Sequence, residues 1–307
     1  MAELADTVAI VTGAAGGIGR EHALLFAAEG ASVVVNDLND ASAVVSEIVA
    51  AGGTAVAHQG DVSTWEDAHD LVECAVQTFG RLDALVNNAG GGAQALAADL
   101  TEAAWDHEIR LNLKGMFCPT RAALGWWKQQ GTAGSVVSTT SGAGLLGNVG
   151  QSPYGAAKAA VAAFTVIAAA ELAGTGIRLN AVAPAARTPG TLQASDMLAR
   201  YMRAPEDEAA FDRWHARNIS PLVAYLCTPD CSLTGEIFHV RGGVVGHFQG
   251  WTIGAAAQAD HNFTIAELRD LVPAMVAQAP SRADAGGPAY ASLRAAWAEA
   301  QTGGETA

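Results

Sequence analysis

Apolar and polar positions alternate along this chain in two rhythms. Short β-rich runs end on turn residues: "TVAIVTG" (7–13), "ASVVVND" (31–37), "TAVAHQGDV" (54–62) and "LDALVNNAGG" (82–91). Between them lie stretches with helical spacing: "GIGREHALLFAAEG" (17–30), stopped by Gly30, "DASAVVSEIVAAGG" (40–53) and "TWEDAHDLVECAVQTFG" (64–80). Thr64 suits the N-cap of the last, and Asp67 makes a near capping box with it. Farther on, the pattern predicts helices near 101–111 and 112–129 and a strand at 134–142. A long helix follows at 152–174, with Pro153 in its first turn, and then a strand at 177–184 that ends at proline. A helix at 220–228 and a strand at 235–243 close the series. Strands separated by helices at this spacing predict an α/β fold, a doubly wound parallel sheet of about seven strands with helices on both faces. Ligands of such sheets bind beyond the carboxyl ends of the strands.

Composition narrows the class. Half of the 307 residues are hydrophobic and 16% are charged, so the chain has enough apolar surface for a large core. The formal net charge of −14 argues against a nucleic-acid partner. No run of about 18 strongly apolar residues appears. Glu3 and Asp6 precede the first apolar run, unlike a secretory signal, so a cytoplasmic location is expected. Cys74, Cys118, Cys227 and Cys231 show no zinc spacing and read as free thiols; no metal is expected.

The chemistry sits where strands end. "TGAAGGIG" (12–19) follows the first strand and opens the first helix. Gly13, Gly17 and Gly19 allow a tight turn and close approach of a pyrophosphate to the helix N-terminus, with Ile18 between them. Asp37 ends the second strand, where a carboxylate accepts hydrogen bonds from an adenosine ribose and repels a 2′-phosphate. Capping the next turn is the alternative role for Asp37, one that Asn36 and Asp40 could also fill. No basic residue stands at Gly16 or Leu38, which favours NAD over NADP. Asp61, followed by Val62, ends the third strand and is placed to bond an adenine amino group. Asn88, Ala89 and Gly90 of "NNAG" would line the adenosine side. Turn geometry explains these last positions equally well.

Taken together, "TGAAGGIG", "NNAG", Ser141 and "YGAAK" (154–158) resemble the signature of the short-chain dehydrogenase/reductases over roughly residues 5–245. The resemblance implies a Rossmann-type fold, with a dinucleotide-binding catalytic domain at 1–243 and a C-terminal extension at 244–307. "NDL" (36–38), "APAARTPGT" (183–191) and the stretch 220–243 are further similar to the dehydrogenase region of multifunctional β-oxidation enzymes. Those act on (3R)-hydroxyacyl-CoA, and relatives act on hydroxysteroids. Related actinobacterial proteins of unassigned substrate look equally similar.

Tyr154 and Lys158 are i and i+4 on one helix and share a face. The resemblance makes Tyr154 the acid or base, with Lys158 lowering its pKa and bonding the nicotinamide ribose. Ser141 would hold the substrate oxygen, although Ser138, Thr139 and Thr140 are neighbouring candidates. Asn112, a helix N-cap on its own terms, would distort a helix and hold a relay water. Beyond the sixth strand, Pro184 is followed by Ala185 where the family has glycine. Thr188 and Thr191 compete to bond the carboxamide, and Thr188 is preferred.

A polar insertion at 187–217 is expected to close over the substrate. It carries five arginines and five acids (Asp196, Glu206, Asp207, Glu208 and Asp212), so it offers no net basic patch for CoA phosphates. The tail predicts helices at 264–278 and 290–301. The reading is an NAD-dependent oxidoreductase acting on a small-molecule secondary alcohol, probed first as a hydroxyacyl-CoA. Its helices at 112–129 and 152–174 would pack a homo-oligomer, a tetramer or a dimer. An NADPH-dependent ketoacyl reductase and a non-catalytic NAD-binding protein are the rivals.

Overall fold

A computed structural model describes residues 2–92, 94–194, 196–207 and 209–278. The expected helix at 290–301 lies outside the described residues. Eight strands form one sheet in the order β3-β2-β1-β4-β5-β6-β7-β8. They are β1 (Val8–Thr12), β2 (Ser32–Asp37), β3 (Thr54–Gln59), β4 (Ala84–Asn87), β5 (Gly134–Thr139), β6 (Ile177–Pro184), β7 (Ile237–Arg241) and β8 (Val244–His247). The first seven pair in parallel, and β8 folds back antiparallel on β7. This eighth strand continues the sheet beyond residue 243. Its two valines are exposed, so it lacks the fully apolar pattern that marked the central strands.

Side chains alternate across the sheet and build two cores. On one face Val11, Val33, Val35 and Val86 pack against Phe26 of α1 (Gly17–Ala28), Ile48 of α2 (Ser42–Ala50) and Val223 of a C-terminal helix at Ser220–Cys227. On the other face Ile10, Val34, Leu85 and Leu179 pack against three helices. These are α3 (Trp65–Phe79), a helix at Gly115–Gln130, and a helix at Ser152–Glu171. In chain order the last two are α5 and α7. Before them runs α4 (Glu102–Ile109), and between them α6 (Gly142–Leu146). Crossovers from β1 run one way to β2 and β3, then switch to β4 on the other side of β1. Carboxyl ends of β1 and β4 therefore flank the topological switch point.

Local signals behave unevenly. Thr64 caps α3 by accepting from the Asp67 N–H at 3.1 Å. The Asp67 carboxylate does not complete a capping box; it accepts from the Asp61 N–H at 2.7 Å, tying the β3 exit loop to the helix. The two expected helices near 101–129 are joined through a widened π turn at Arg110–Lys114. By composition α7 is long and apolar enough to cross a membrane, yet half of that window is buried in the protein. Two short helices, α8 (Pro189–Ala194) and α9 (Asp196–Tyr201), form the 187–217 insertion, and the helix at Ser220–Cys227 is α10. In the tail, α11 (Ile265–Ala277) begins with a full capping box between Thr264 and Glu267.

Candidate active site

The glycine turn between β1 and α1 fills the switch point because nothing larger fits. Gly13 has φ of +63°, and a Cβ there would stand 2.7 Å from Ala89 Cα. A Cβ on Gly19 would stand 2.2 Å from the Gly13 carbonyl oxygen and 2.5 Å from Asn88 Nδ2. Asn88 Nδ2 donates to the carbonyls of Thr12 and Gly13 at 3.0 and 3.1 Å. Thr12 Oγ1 in turn accepts the N–H groups of Asn88 and Ala89 at 3.1 and 3.0 Å. The "TGAAGGIG" and "NNAG" motifs are thus one welded unit. No side chain caps α1, so its first amides and positive dipole end are left for an anion.

This turn floors a cleft of about 890 Å³. Gly13, Gly17, Ile18, Asp37, Leu38, Asp61, Val62, Asn88, Ala89, Gly90, Pro184 and Thr188 all line it, with Ser141, Tyr154 and Lys158. Gly19 lies beneath the turn and Asn112 behind Gly90, so neither reaches the cleft surface. Asp37 Oδ2 accepts from the Ala15 N–H at 3.0 Å, and Oδ1 accepts from the Asn39 N–H and amide at 2.9 and 3.1 Å. Asp61 is engaged as well. Burial pushes its carboxyl pKa up, but the Ser63 N–H and hydroxyl and the Arg110 guanidinium outweigh this and hold it below the ordinary value. Asp37, Asp40 and Asp61 make this part of the cleft acidic. Among the described cleft-lining residues, Lys158 is the one cation.

Four hydroxyls at the end of β5 were candidates to hold a substrate oxygen, and their surroundings separate them. Ser138 is buried and accepts from Asn87 Nδ2 at 3.3 Å. Thr140 is buried and donates to the Lys158 carbonyl at 2.6 Å. Thr139 lines the cleft, but its carbonyl accepts from Lys158 Nζ at 2.8 Å. Ser141 caps α6, with Oγ accepting from the Ala143 N–H at 3.1 Å, and lies close enough to the Tyr154 phenol to lower its pKa.

Lys158 is 3% exposed, and its Nζ stands 5.8 Å from the centroid of the Tyr154 ring. Burial drives its pKa down to about 8, against the opposing pull of Glu108. Burial also pushes the Tyr154 phenol above its ordinary value; Ser141 works against this, and Glu108 adds to it. The expected lowering of the phenol by Lys158 is therefore not found, because desolvation is the larger effect in this setting.

Asn112 lies inside the π turn, fully buried. Its Nδ2 donates to the Gly91 carbonyl at 2.8 Å and to the Glu108 carbonyl one turn back at 3.1 Å. Its Oδ1 accepts from the Gly91 N–H at 3.2 Å. It is a clamp on the loop after β4, not a helix cap; α4 is capped by Thr101. Thr188 and Thr191 bond each other, Thr188 N–H to Thr191 Oγ1 at 2.7 Å and Thr191 N–H to Thr188 Oγ1 at 3.2 Å. Both line the cleft.

Arg187 pairs with Asp212 and donates to the Met202 carbonyl at 2.7 Å, so it staples the insertion and is not part of the cleft lining. Burial raises the Asp212 carboxyl pKa, but bonds from Arg187 and the Trp214 N–H outweigh it and leave the group below its ordinary value. Sequence reasoning passed over Gln151, Asn148 and Met202 of the cleft lining. Gln151 precedes Tyr154 by three residues, so helical spacing could have found it.

The chain matches the short chain dehydrogenase family model over residues 7–197. It is 40% identical over 256 residues to a 3-oxoacyl-[acyl-carrier-protein] reductase of Synechocystis, covering 80% of this chain and 99% of that one. It is 39% identical over 256 residues to hydroxyacyl-CoA dehydrogenase ChsB1 of Mycobacterium tuberculosis, 78% of each. Peroxisomal multifunctional enzyme A of Dictyostelium discoideum is 38% identical over 251 residues, 78% of this chain but 54% of the longer relative. A crystal structure of a short chain dehydrogenase from Mycobacterium avium superposes with a TM-score of 0.81 at 40% identity, over 91% of this chain and 97% of that one. The chain belongs to the short-chain dehydrogenase/reductase family, whose enzymes use a nicotinamide cofactor to oxidise or reduce at CH–OH groups.

Proposed function

We propose that this enzyme is an NAD-dependent dehydrogenase that interconverts a secondary alcohol and a ketone. The carrying observation is the meeting of Ser141, Tyr154 and Lys158 in the cleft whose floor is the glycine turn. The group fits: two glycines leave no room for a Cβ, α1 opens uncapped, and Asp37 lies along the same cleft. Gly13, Gly17, Ile18, Asp37, Leu38, Asp61, Val62, Asn88, Ala89, Gly90, Pro184 and Thr188 are its proposed contacts. When bound, the nicotinamide supplies the acceptor or donor for hydride. Asp61 is paired with Arg110, but Asp37 and Asp40 line the adenosine side with no cation among the described lining residues beside them, which supports NAD over NADP, since a 2′-phosphate would meet like charge.

In this reading Tyr154 takes the alcohol proton during oxidation and returns it during reduction. Ser141 holds the substrate oxygen and keeps it within reach of the phenol. Lys158, an ammonium below about pH 8, sets the charge beside that phenol. Asn112 secures the Gly90–Gly91 backbone behind Lys158 and supports proton relay to it.

A hydroxyacyl-CoA is the first substrate class, supported by the relative named hydroxyacyl-CoA dehydrogenase ChsB1, with a hydroxysteroid next. An NADPH-dependent ketoacyl reductase is the second reading, favoured by the 3-oxoacyl reductase relative. A protein that only binds NAD would have no use for the assembled Ser141, Tyr154 and Lys158. The chain is proposed to work in the cytoplasm as a homo-oligomer, tetramer or dimer, with exposed Val166 and Ile167 on α7 as part of the contact.

The test is NAD reduction across hydroxyacyl-CoAs, hydroxysteroids and simple secondary alcohols. With the best substrate, Tyr154→Phe should lower kcat by about a hundredfold or more. An unchanged rate, or tighter binding of NADP than of NAD, would overturn the mechanism or the cofactor assignment respectively.

A further inference from the structure

Behind the cleft wall lies a carboxylate that the mechanism has not used. Glu108 sits on α4 one turn before Asn112 and is 1% exposed. Moving a carboxylate out of water costs several kcal/mol, so this position has to return something for it. Its Oε2 accepts from Asn112 Nδ2 at 2.9 Å. That nitrogen thus faces three oxygens, the Gly91 carbonyl and both the carbonyl and carboxylate of Glu108. An amide turned over would set its oxygen against all three, so the orientation is locked. Asn112 Oδ1 is then held toward Gly90. A Cβ on Gly90 would stand 2.8 Å from Asn112 Oδ1 and 3.2 Å from Lys158 Nζ, so the amide oxygen and the ammonium converge on the same piece of backbone.

We infer that Glu108 is a positioning residue of the active centre, whose buried carboxylate locks the Asn112 amide and serves as the counter-charge of Lys158. This inference rests on the reading of Tyr154 and Lys158 as the reacting pair. The charges around it support the assignment. Helix α7 packs against α4, and Glu108 raises the pKa of both Lys158 and Tyr154 on it. The nearby cations of the π turn point elsewhere: Arg110 bonds Ser63 and Asp61, and Lys114 acts on Asp61 and Cys118. A leucine or valine at 108 would fill the space but neither lock the amide nor balance the ammonium.

The chain has three lysines, Lys114, Lys128 and Lys158, which makes each separately visible by NMR after labelling at the ε-carbon. In the full-length protein the Lys158 resonance, assigned by its loss in Lys158→Arg, should titrate with a midpoint of about 8. Glu108→Gln keeps the shape and removes the charge; it should lower that midpoint by about one pH unit. Glu108→Asp keeps the charge but draws it back, and should give a midpoint between the two. A midpoint unmoved in Glu108→Gln overturns the inference, because a merely structural role would change thermal stability and leave the titration alone. Should Glu108→Gln not fold, an unmoved midpoint in Glu108→Asp overturns it instead. The titration uses no substrate. A chain whose Lys158 shifts as stated but that turns over no alcohol or ketone would sustain the coupling of Glu108 to Lys158 and sink the hydride-transfer reading on which its catalytic purpose rests.

Discussion

His22 offers a test of the folded core that needs no ligand. It lies on α1, fully buried, with Nδ1 2.8 Å from Ser220 Oγ at the start of α10. Its Nε2 has no hydrogen-bond partner among the described residues. Burial lowers its pKa from 6.5 to about 3, since no nearby charge compensates a buried imidazolium. Between those two values the unfolded chain binds a proton that the folded chain refuses. Stability is therefore complete above pH 6.5 and falls as pH is lowered toward 3. The slope tends to about 1.4 kcal/mol per pH unit, for a total of about 5 kcal/mol over the window. Replacing His22 by Leu removes this group. At pH 7.5 the variant should lie within about 1 kcal/mol of the parent, because it loses the bond to Ser220 but also the unpartnered Nε2. Urea denaturation followed by tryptophan fluorescence at stepped pH from 7.5 to 4 measures the difference. The advantage of the parent over the variant should shrink steadily below pH 6.5 and then reverse. Two curves that stay parallel through this window would refute the reasoning.

Other outcomes follow from the same geometry. Gly19→Ala sets a Cβ against the Gly13 carbonyl and Asn88 Nδ2, so it should cost about 1–3 kcal/mol and weaken NAD binding by calorimetry. A variant with parental stability and affinity would show that the turn can open without penalty. Asp37→Asn keeps a hydrogen-bond acceptor but discards the charge, and should cut the NAD-over-NADP preference by about tenfold or more in paired Kd measurements. Arg187→Ala breaks a partly buried pair and the bond to the Met202 carbonyl, and should destabilise the 187–214 segment by about 1–2 kcal/mol. Hydrogen exchange should rise there and leave β1 and β4 protected.

The order of strands and helices, the glycine turn and the strand-end motifs were legible in the chain by itself. Each depends on neighbours a few residues away: apolar runs at β1 and β2, the i and i+4 spacing of Tyr154 and Lys158, and glycines clustered between a strand and a helix. Other features are decided by what the folded structure brings against a side chain or a strand. Asp67 reads as half of a capping box, but the β3 exit loop takes its carboxylate. Ser141 is one hydroxyl among four until Thr140 is seen bound to Lys158, Ser138 to Asn87, and Ser141 itself beside the Tyr154 phenol. The eighth strand has exposed valines and no marked pattern, and exists because β7 is there to pair with it. Glu108 reads as an ordinary charge on a polar helix. Burial beside Asn112 turns it into part of the site, and the same burial raises the Tyr154 phenol while lowering Lys158. Local spacing determines which groups share a face, whereas solvation and charge balance depend on what packs over that face, and this chain acquires them only on folding.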